Sequence, residues 1–165
     1  MKDFSNWLLG ALACGVFLCA AAAAPQTEDA AIREVSAAWK RAYNAGDTAA
    51  VTALYAPEAV LSAPGEPAVR GSAAIARYFK EKIAQFRSAG LTVSDQPLGP
   101  VVASGELAWQ WQTYTVSDKA GHVIDAGKLV TLFRRYDGNW LIAGDTWNSD
   151  GSAVAPAAGT PVPTP

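Results

Sequence analysis

Cysteine is nearly absent. The 165 residues hold two, Cys14 and Cys19, both near the N-terminus, so the rest of the chain can form no disulfide, thiolate metal site or cysteine nucleophile. Histidine is rarer still. His122 stands alone in a predicted turn after Gly121, with no Cys, Asp or Glu at metal-ligand spacing, which argues against a zinc site. Charge is sparse at 17% and nearly balanced, with a formal net charge of -2 and no basic run longer than Arg134-Arg135, so the chain carries no electrostatic footprint for nucleic acid. No phosphate-cradling glycine loop occurs either, because "GNW" and "GDT" read as hairpin punctuation. The expectation is a protein without metal, cofactor or nucleic-acid partner.

What remains is an ordinary globular composition, 50% hydrophobic and long enough for one domain with a real core. Residues 1–24 run from a short start with one lysine through an apolar stretch to an alanine-rich end, the pattern of a secretory signal cleaved near Ala22 to Ala24. Glycines interrupt that stretch, which disfavours a stable membrane anchor, and the residues before Cys14 and Cys19 fit a lipid-attachment box poorly. Export follows as an expectation, to the periplasm or beyond it. Residues 150–165, rich in Ala, Pro, Gly and Thr, offer no large apolar side chain to bury and read as a tail without a fold. The domain is then residues 28–149.

Within it the hydrophobic period changes once. Ile32, Val35, Trp39 and Tyr43 fall on one helical face, "NAGD" ends that helix with Gly46 left-handed, and Asp47 caps a second, short helix burying Val51, Leu54 and Tyr55. A third helix, capped by Ser72, places Ile75, Phe79, Ile83 and Phe86 on one side and ends at Gly90. Beyond Gly90 the period is two, in strand-like segments joined at Gly105, at residues 119–121 and at Asp137-Gly138. Helices followed by a meander of long strands predict an α+β domain, with helices packed on one face of a curved antiparallel sheet that bends at Gly127 and Gly144.

The phrases "AAWKRAYNAGDTAAVTALYAPEAVLSAPG", "VRGSAAIARYF" and "FRRYDGNWLIAGDTWN" resemble the nuclear-transport-factor-2-like superfamily, and within it the SnoaL-like and uncharacterised bacterial branches. The resemblance covers residues 28–149. It implies a cone, or cystatin-like roll, in which the sheet wraps the first and third helices and opens at one end into an apolar pocket; it also implies homodimers packed sheet to sheet. Five tryptophans, at 39, 109, 111, 140 and 147, exceed what a small core needs, and some are expected to line the pocket.

The resemblance also permits a test for chemistry, because the steroid isomerases of this superfamily share the "NAGD" motif. They use a carboxylate base at the end of the first strand, a tyrosine donor and a protonated aspartic acid. Counted from Asp47, the base position is Ala63, the tyrosine position is Trp39 and the buried acid falls near Thr131. All three depart from the isomerase pattern. The polyketide-cyclase branch places its acid-base group elsewhere, and two carboxylates offer substitutes here. Asp125 shares strand parity with Leu129, Thr131 and Phe133; Asp145 lies in the last strand, where it could equally be an exposed end group or a partner of Arg134 or Arg135. Tyr43, Tyr55 and Tyr114 could present phenols to a ligand.

The leading expectation is a small-molecule-binding or accessory domain whose pocket, lined by Trp39, Tyr43, Tyr55, Ala63, Trp111, Thr131 and Phe133, takes an apolar or aromatic compound. The alternatives are an isomerase, cyclase or dehydratase using Asp125 or Asp145 as general base, with Trp39 or a tyrosine orienting a carbonyl, and a structural module that dimerises through an outer sheet face carrying Val130 and Leu132.

Overall fold

The computed structural model describes residues 27–151, so the signal-like segment 1–24 and the tail beyond Gly151 lie outside the described residues. Three helices, α1 (Glu28–Ala45), α2 (Thr48–Ala53) and α3 (Ser72–Ser88), interleave with the first strands, β1 (Tyr55–Ser62) and β2 (Val69–Arg70). The meander follows: β3 (Thr92–Pro97), β4 (Val102–Ser104), β5 (Leu107–Ser117), β6 (Val123–Tyr136) and β7 (Asn139–Ser149). The sheet order is β2-β1-β7-β6-β5-β3, with β4 also paired to β5. Every pairing is antiparallel except β1 with β7, which run parallel; α3 carries the chain to the opposite sheet edge at β3, and the meander comes back to β1 through β7. The α+β architecture expected from the change of period is the one observed. Among the described residues, no helix is long and apolar enough to cross a membrane.

Local chemistry sets the helix boundaries. Thr27 accepts from the Ala30 amide at the start of α1, Gly46 ends it at φ 81, and the Asp47 carboxylate accepts from the Ala50 amide to begin α2. Two boundaries differ from expectation. Ser72 does not cap α3; Gly71 precedes the helix at φ 82, without a side-chain bond. Tyr55 belongs to β1, not to α2: the helix ends at Ala53 with Leu54 as its cap, and Pro57, which disfavours helical geometry at Ala56, keeps it from continuing. That change re-aims a phenol.

An aromatic cluster binds helices to sheet. Trp39 and Tyr43, one turn apart on α1, stack at 4.7 Å, and Phe79 of α3 meets Trp39, Tyr43 and Tyr55 at centroid distances of 6.0, 6.2 and 5.4 Å. Ile32, Val51, Leu61, Ile75 and Phe133 complete the closed end of the core. At the opposite edge Asn44 clamps β3 to α1, donating to the Val93 carbonyl and accepting from the Val93 amide, each at 2.9 Å.

Irregular pairing decides which side chains face inward. Between β6 and β7, Leu132 pairs with Gly144 but Phe133 pairs with Ile142, so Ala143 is an extra residue bulged out of the ladder. Trp140 and Ile142 face the core before the bulge, and Asp145, Trp147 and Ser149 face inward after it. Gly127 serves a related purpose on β6. A Cβ there would lie 2.0 Å from the Asn148 carbonyl oxygen and 2.7 Å from the Tyr114 ring, so only glycine lets that ring lie against the strand. Gly127→Ala is therefore expected to lower unfolding free energy by about 1–3 kcal/mol, measured by urea denaturation; an unchanged midpoint would show that the β6–β7 ladder tolerates the displacement.

Candidate functional site

Between helices and sheet lies a cavity of about 430 Å³, open at one end. Its apolar wall is built from Trp39 and Tyr43 of α1, Phe79 and Phe86 of α3, Leu129 of β6 and Trp147 of β7. Of the side chains expected to line it, Trp39, Tyr43, Ala63 and Thr131 do so. Tyr55 and Phe133 instead pack in the closed core beside it, with Phe133 only 1% exposed.

Trp111 requires the opposite correction, because it is 51% exposed on the outer face of the sheet. On β5 the buried positions are Ala108, Gln110, Gln112 and Tyr114, and Trp109 and Trp111 alternate with them. The inner glutamines are tolerated because they have partners: Ser36 donates to Gln110 Oε1 at 3.4 Å, and Gln112 Nε2 donates to Asp95 at 2.8 Å. Hydrophobicity pointed the wrong way on this strand. A signal was available, since Tyr114 and Trp111 have opposite parity and cannot both face the cavity.

Both candidate carboxylates stand in the cavity wall. They differ in their partners. Asp125 accepts from the Tyr114 hydroxyl at 2.9 Å through Oδ2 and from Ser149 through Oδ1, so both oxygens are occupied, and Tyr114 is pushed up to about 12, first by burial and then by its bond to Asp125. Asp145 is neither an exposed end group nor an arginine partner: Arg134 pairs with Glu58 and Arg135 with Glu28. Its Oδ2 accepts from the Tyr55 hydroxyl at 2.9 Å, and the Tyr55 oxygen in turn accepts from Trp39 Nε1 at 3.1 Å. The Trp39 indole N–H is thus engaged within the protein, and so does not serve as a carbonyl donor. Asp145 Oδ1 is buried without any hydrogen-bond partner.

Burial dominates the acidity of this carboxyl. Desolvation raises Asp145 from 3.8 to about 6, against a smaller opposing effect from the Tyr55 hydrogen bond. The same burial, reinforced by Asp145, holds Tyr55 well above its ordinary value, so it remains a donor throughout the physiological range. Tyr43 is also pushed up, to about 12, by burial. Among the described residues, no three His, Cys, Asp or Glu side chains converge as a metal site. The arrangement sets a carboxyl with a raised pKa and one unpartnered oxygen in the wall of a largely apolar cavity.

Comparison with known proteins agrees with this architecture. A family model described as a SnoaL-like domain matches residues 36–142, and the chain belongs to that family. No curated protein matches it significantly. Among solved structures it is similar to a ketosteroid isomerase-like protein from Erwinia carotovora atroseptica, at 26% identity over 76% of this chain and 98% of that one, with TM-score 0.62. It also shares its fold with an NTF2-like protein of cystatin-like fold from Novosphingobium aromaticivorans, at 23% identity over 76% and 84% of the two chains, TM-score 0.67. A cystatin-like protein of unknown function from Nostoc punctiforme aligns at 15% identity over 74% and 90%, TM-score 0.64.

The raised pKa of Asp145 has a consequence for stability. Between 3.8 and about 6 the folded protein binds more protons at Asp145 than the unfolded chain does, so this group's contribution falls as pH rises through that window and is level above it. The shift corresponds to about 3 kcal/mol at full ionisation. Asp145→Asn, which can still accept from Tyr55 but puts its amide nitrogen at the unpartnered Oδ1 position, is expected to gain less than about 3 kcal/mol at neutral pH and to lose the slope between pH 4 and 6. Urea denaturation across that range checks it, and an identical slope in the variant would assign the pH dependence elsewhere.

Proposed function

We propose that this SnoaL-like domain is an acid-base enzyme of the isomerase or dehydratase kind, acting on an apolar small molecule that carries a carbonyl group. The observation that carries the reading is the unpartnered Oδ1 of Asp145, buried beside an aromatic cavity. In this mechanism the carboxylate removes a proton from the carbon next to the carbonyl and returns it at a second position as the carboxylic acid. The Tyr55 hydroxyl holds Oδ2, and a small rotation of the carboxyl brings the buried Oδ1 to the cavity surface to receive the proton. Tyr43, kept protonated by burial and facing the cavity, supplies the hydrogen bond to the developing enolate oxygen. Asp125 is excluded from the proton's path because two hydroxyls already bind its oxygens.

The test is deuterium incorporation from heavy water into the acidic carbons of 2-tetralone, a small apolar ketone. Catalysed exchange should rise with pH to a plateau above about 6, following the Asp145 carboxylate. Asp145→Asn should reduce it by about a hundred- to ten-thousandfold, with Asp125→Asn retaining most of the rate. Equal rates in wild type and Asp145→Asn would sink the assignment and leave a binding domain.

We also infer self-association through the outer sheet face. Val60, Leu132, Trp109 and Val102 follow one another across β1, β6, β5 and β4, each at least 36% exposed, with the side-chain-free Gly144 between Val60 and Leu132. Trp111 extends the stripe beside Val130. So continuous an apolar row on a regular sheet suits a second copy of itself related by a twofold axis. Sedimentation equilibrium should give a dimer at micromolar concentration and a monomer for Trp109→Lys with Leu132→Lys; a monomeric wild type would remove this inference.

A further inference from the structure

One cavity-wall group plays no part in the proton transfer described above. Gln112 is 3% exposed, yet an amide is a poor choice for the wall of a largely apolar cavity. Its orientation is fixed from behind. Nε2 donates to Asp95 Oδ2 at 2.8 Å, and Asp95 Oδ1 is paired with the Lys40 ammonium. A carboxylate only accepts, so the nitrogen must face Asp95 and the amide oxygen must face the other way. Among the described residues nothing donates to that oxygen.

The chain Lys40, Asp95, Gln112 is thus a built support for one acceptor. Lys40 and Asp95 come from α1 and β3, elements that Asn44 clamps together by its two bonds to Val93, so the support is anchored to rigid backbone. Gln112 lies on β5 and Asp145 on β7, with β6 between them, so the acceptor and the proton-transfer group occupy separated parts of one wall.

We propose that Gln112 Oε1 is a specificity-determining acceptor, which selects among apolar molecules those bearing a hydroxyl group remote from the reacting carbon. The inference rests on the cavity being a substrate site, as proposed above, and names the class of substrate: an apolar carbonyl compound with a second, hydrogen-bond-donating end. A ligand without the hydroxyl leaves a buried acceptor unpaired, and discrimination arises from that unpaired group.

Binding of two fluorescent probes to the full chain at neutral pH tests it: 2-naphthol, which carries the donor, and 2-methoxynaphthalene, which lacks it. Wild type should prefer 2-naphthol by about tenfold or more. Gln112→Leu should bring the two affinities together by weakening 2-naphthol, and retained 2-methoxynaphthalene binding would show that the variant is folded. Asp145→Asn should keep the preference. An undiminished preference in Gln112→Leu, a preference lost in Asp145→Asn instead, or no preference in wild type would each overturn the proposal. Ketone exchange that still depends on Asp145 would then leave the acid-base reading standing. Loss of Asp145-dependent exchange with an intact Gln112-dependent preference would do the reverse.

Discussion

The bulge at Ala143 is the constraint on which the rest of this site depends. Strand side chains alternate strictly, so an unbroken β7 would carry Trp140, Ile142, Gly144 and Thr146 inward and would leave Asp145 on the outer face. One extra residue reverses the parity midway. Core packing at Trp140 and Ile142 is kept, and Asp145 and Trp147 are turned into the cavity. The same reversal places Gly144 on the outer face, where a Cβ would come within 2.9 Å of the Leu132 side chain. A single irregularity therefore aims the carboxylate inward and keeps the outer surface level.

Burying that carboxylate costs stability, and the surroundings limit the cost without removing it. Tyr55 offers one hydrogen bond and is itself held by Trp39, so the donor is already oriented, and little further ordering is needed to meet the charge. A second donor to Oδ1 would lower the pKa further and stabilise the fold. It would also occupy the oxygen that the proposed proton transfer uses. Asp125 shows the alternative outcome within the same cavity, because Tyr114 and Ser149 satisfy both its oxygens. Two carboxylates in one cavity thus differ in the number of hydroxyls each receives.

Much of the fold was legible in the sequence, because its signals are local. Gly46 and Asp47 punctuate the first two helices as their chemistry requires, and the change from a 3.6 to a 2.0 period marks the passage from helices to the strand meander. The site was legible only in part. Trp39, Tyr43, Ala63 and Thr131 come together at the cavity, but Tyr55 was assigned to a helix because its apolar spacing continued that of Val51 and Leu54, and the effect of Pro57 outweighed the spacing. On β5 the tryptophans looked like the inner set. They are the outer set, because Ser36 and Asp95 supply the partners that make glutamine a workable inward residue, and those partners come from α1 and β3, distant in sequence. Burial of a polar side chain depends on such remote partners, so no period could reveal it.

The absence of the steroid-isomerase set and the presence of Asp145 have a common physical reading. Ala63 puts a methyl group where that pattern would put a base, and Trp39 puts a donor where it would put a tyrosine, but the indole N–H points to Tyr55. If Ala63 were a carboxylate, it would stand at the end of β1, next to the strand on which Asp145 lies, with Ser62 already paired to Thr146. Two carboxylates so close in an apolar cavity would repel, and one would hold its proton through neutral pH. With the small Ala63 side chain, the carboxyl raised to about 6 is the one a strand over, on β7, with no like charge at the end of β1. The departure at Ala63 therefore does not argue against the proposed proton transfer; it keeps a second carboxylate away from the end of β1, beside the strand that carries Asp145.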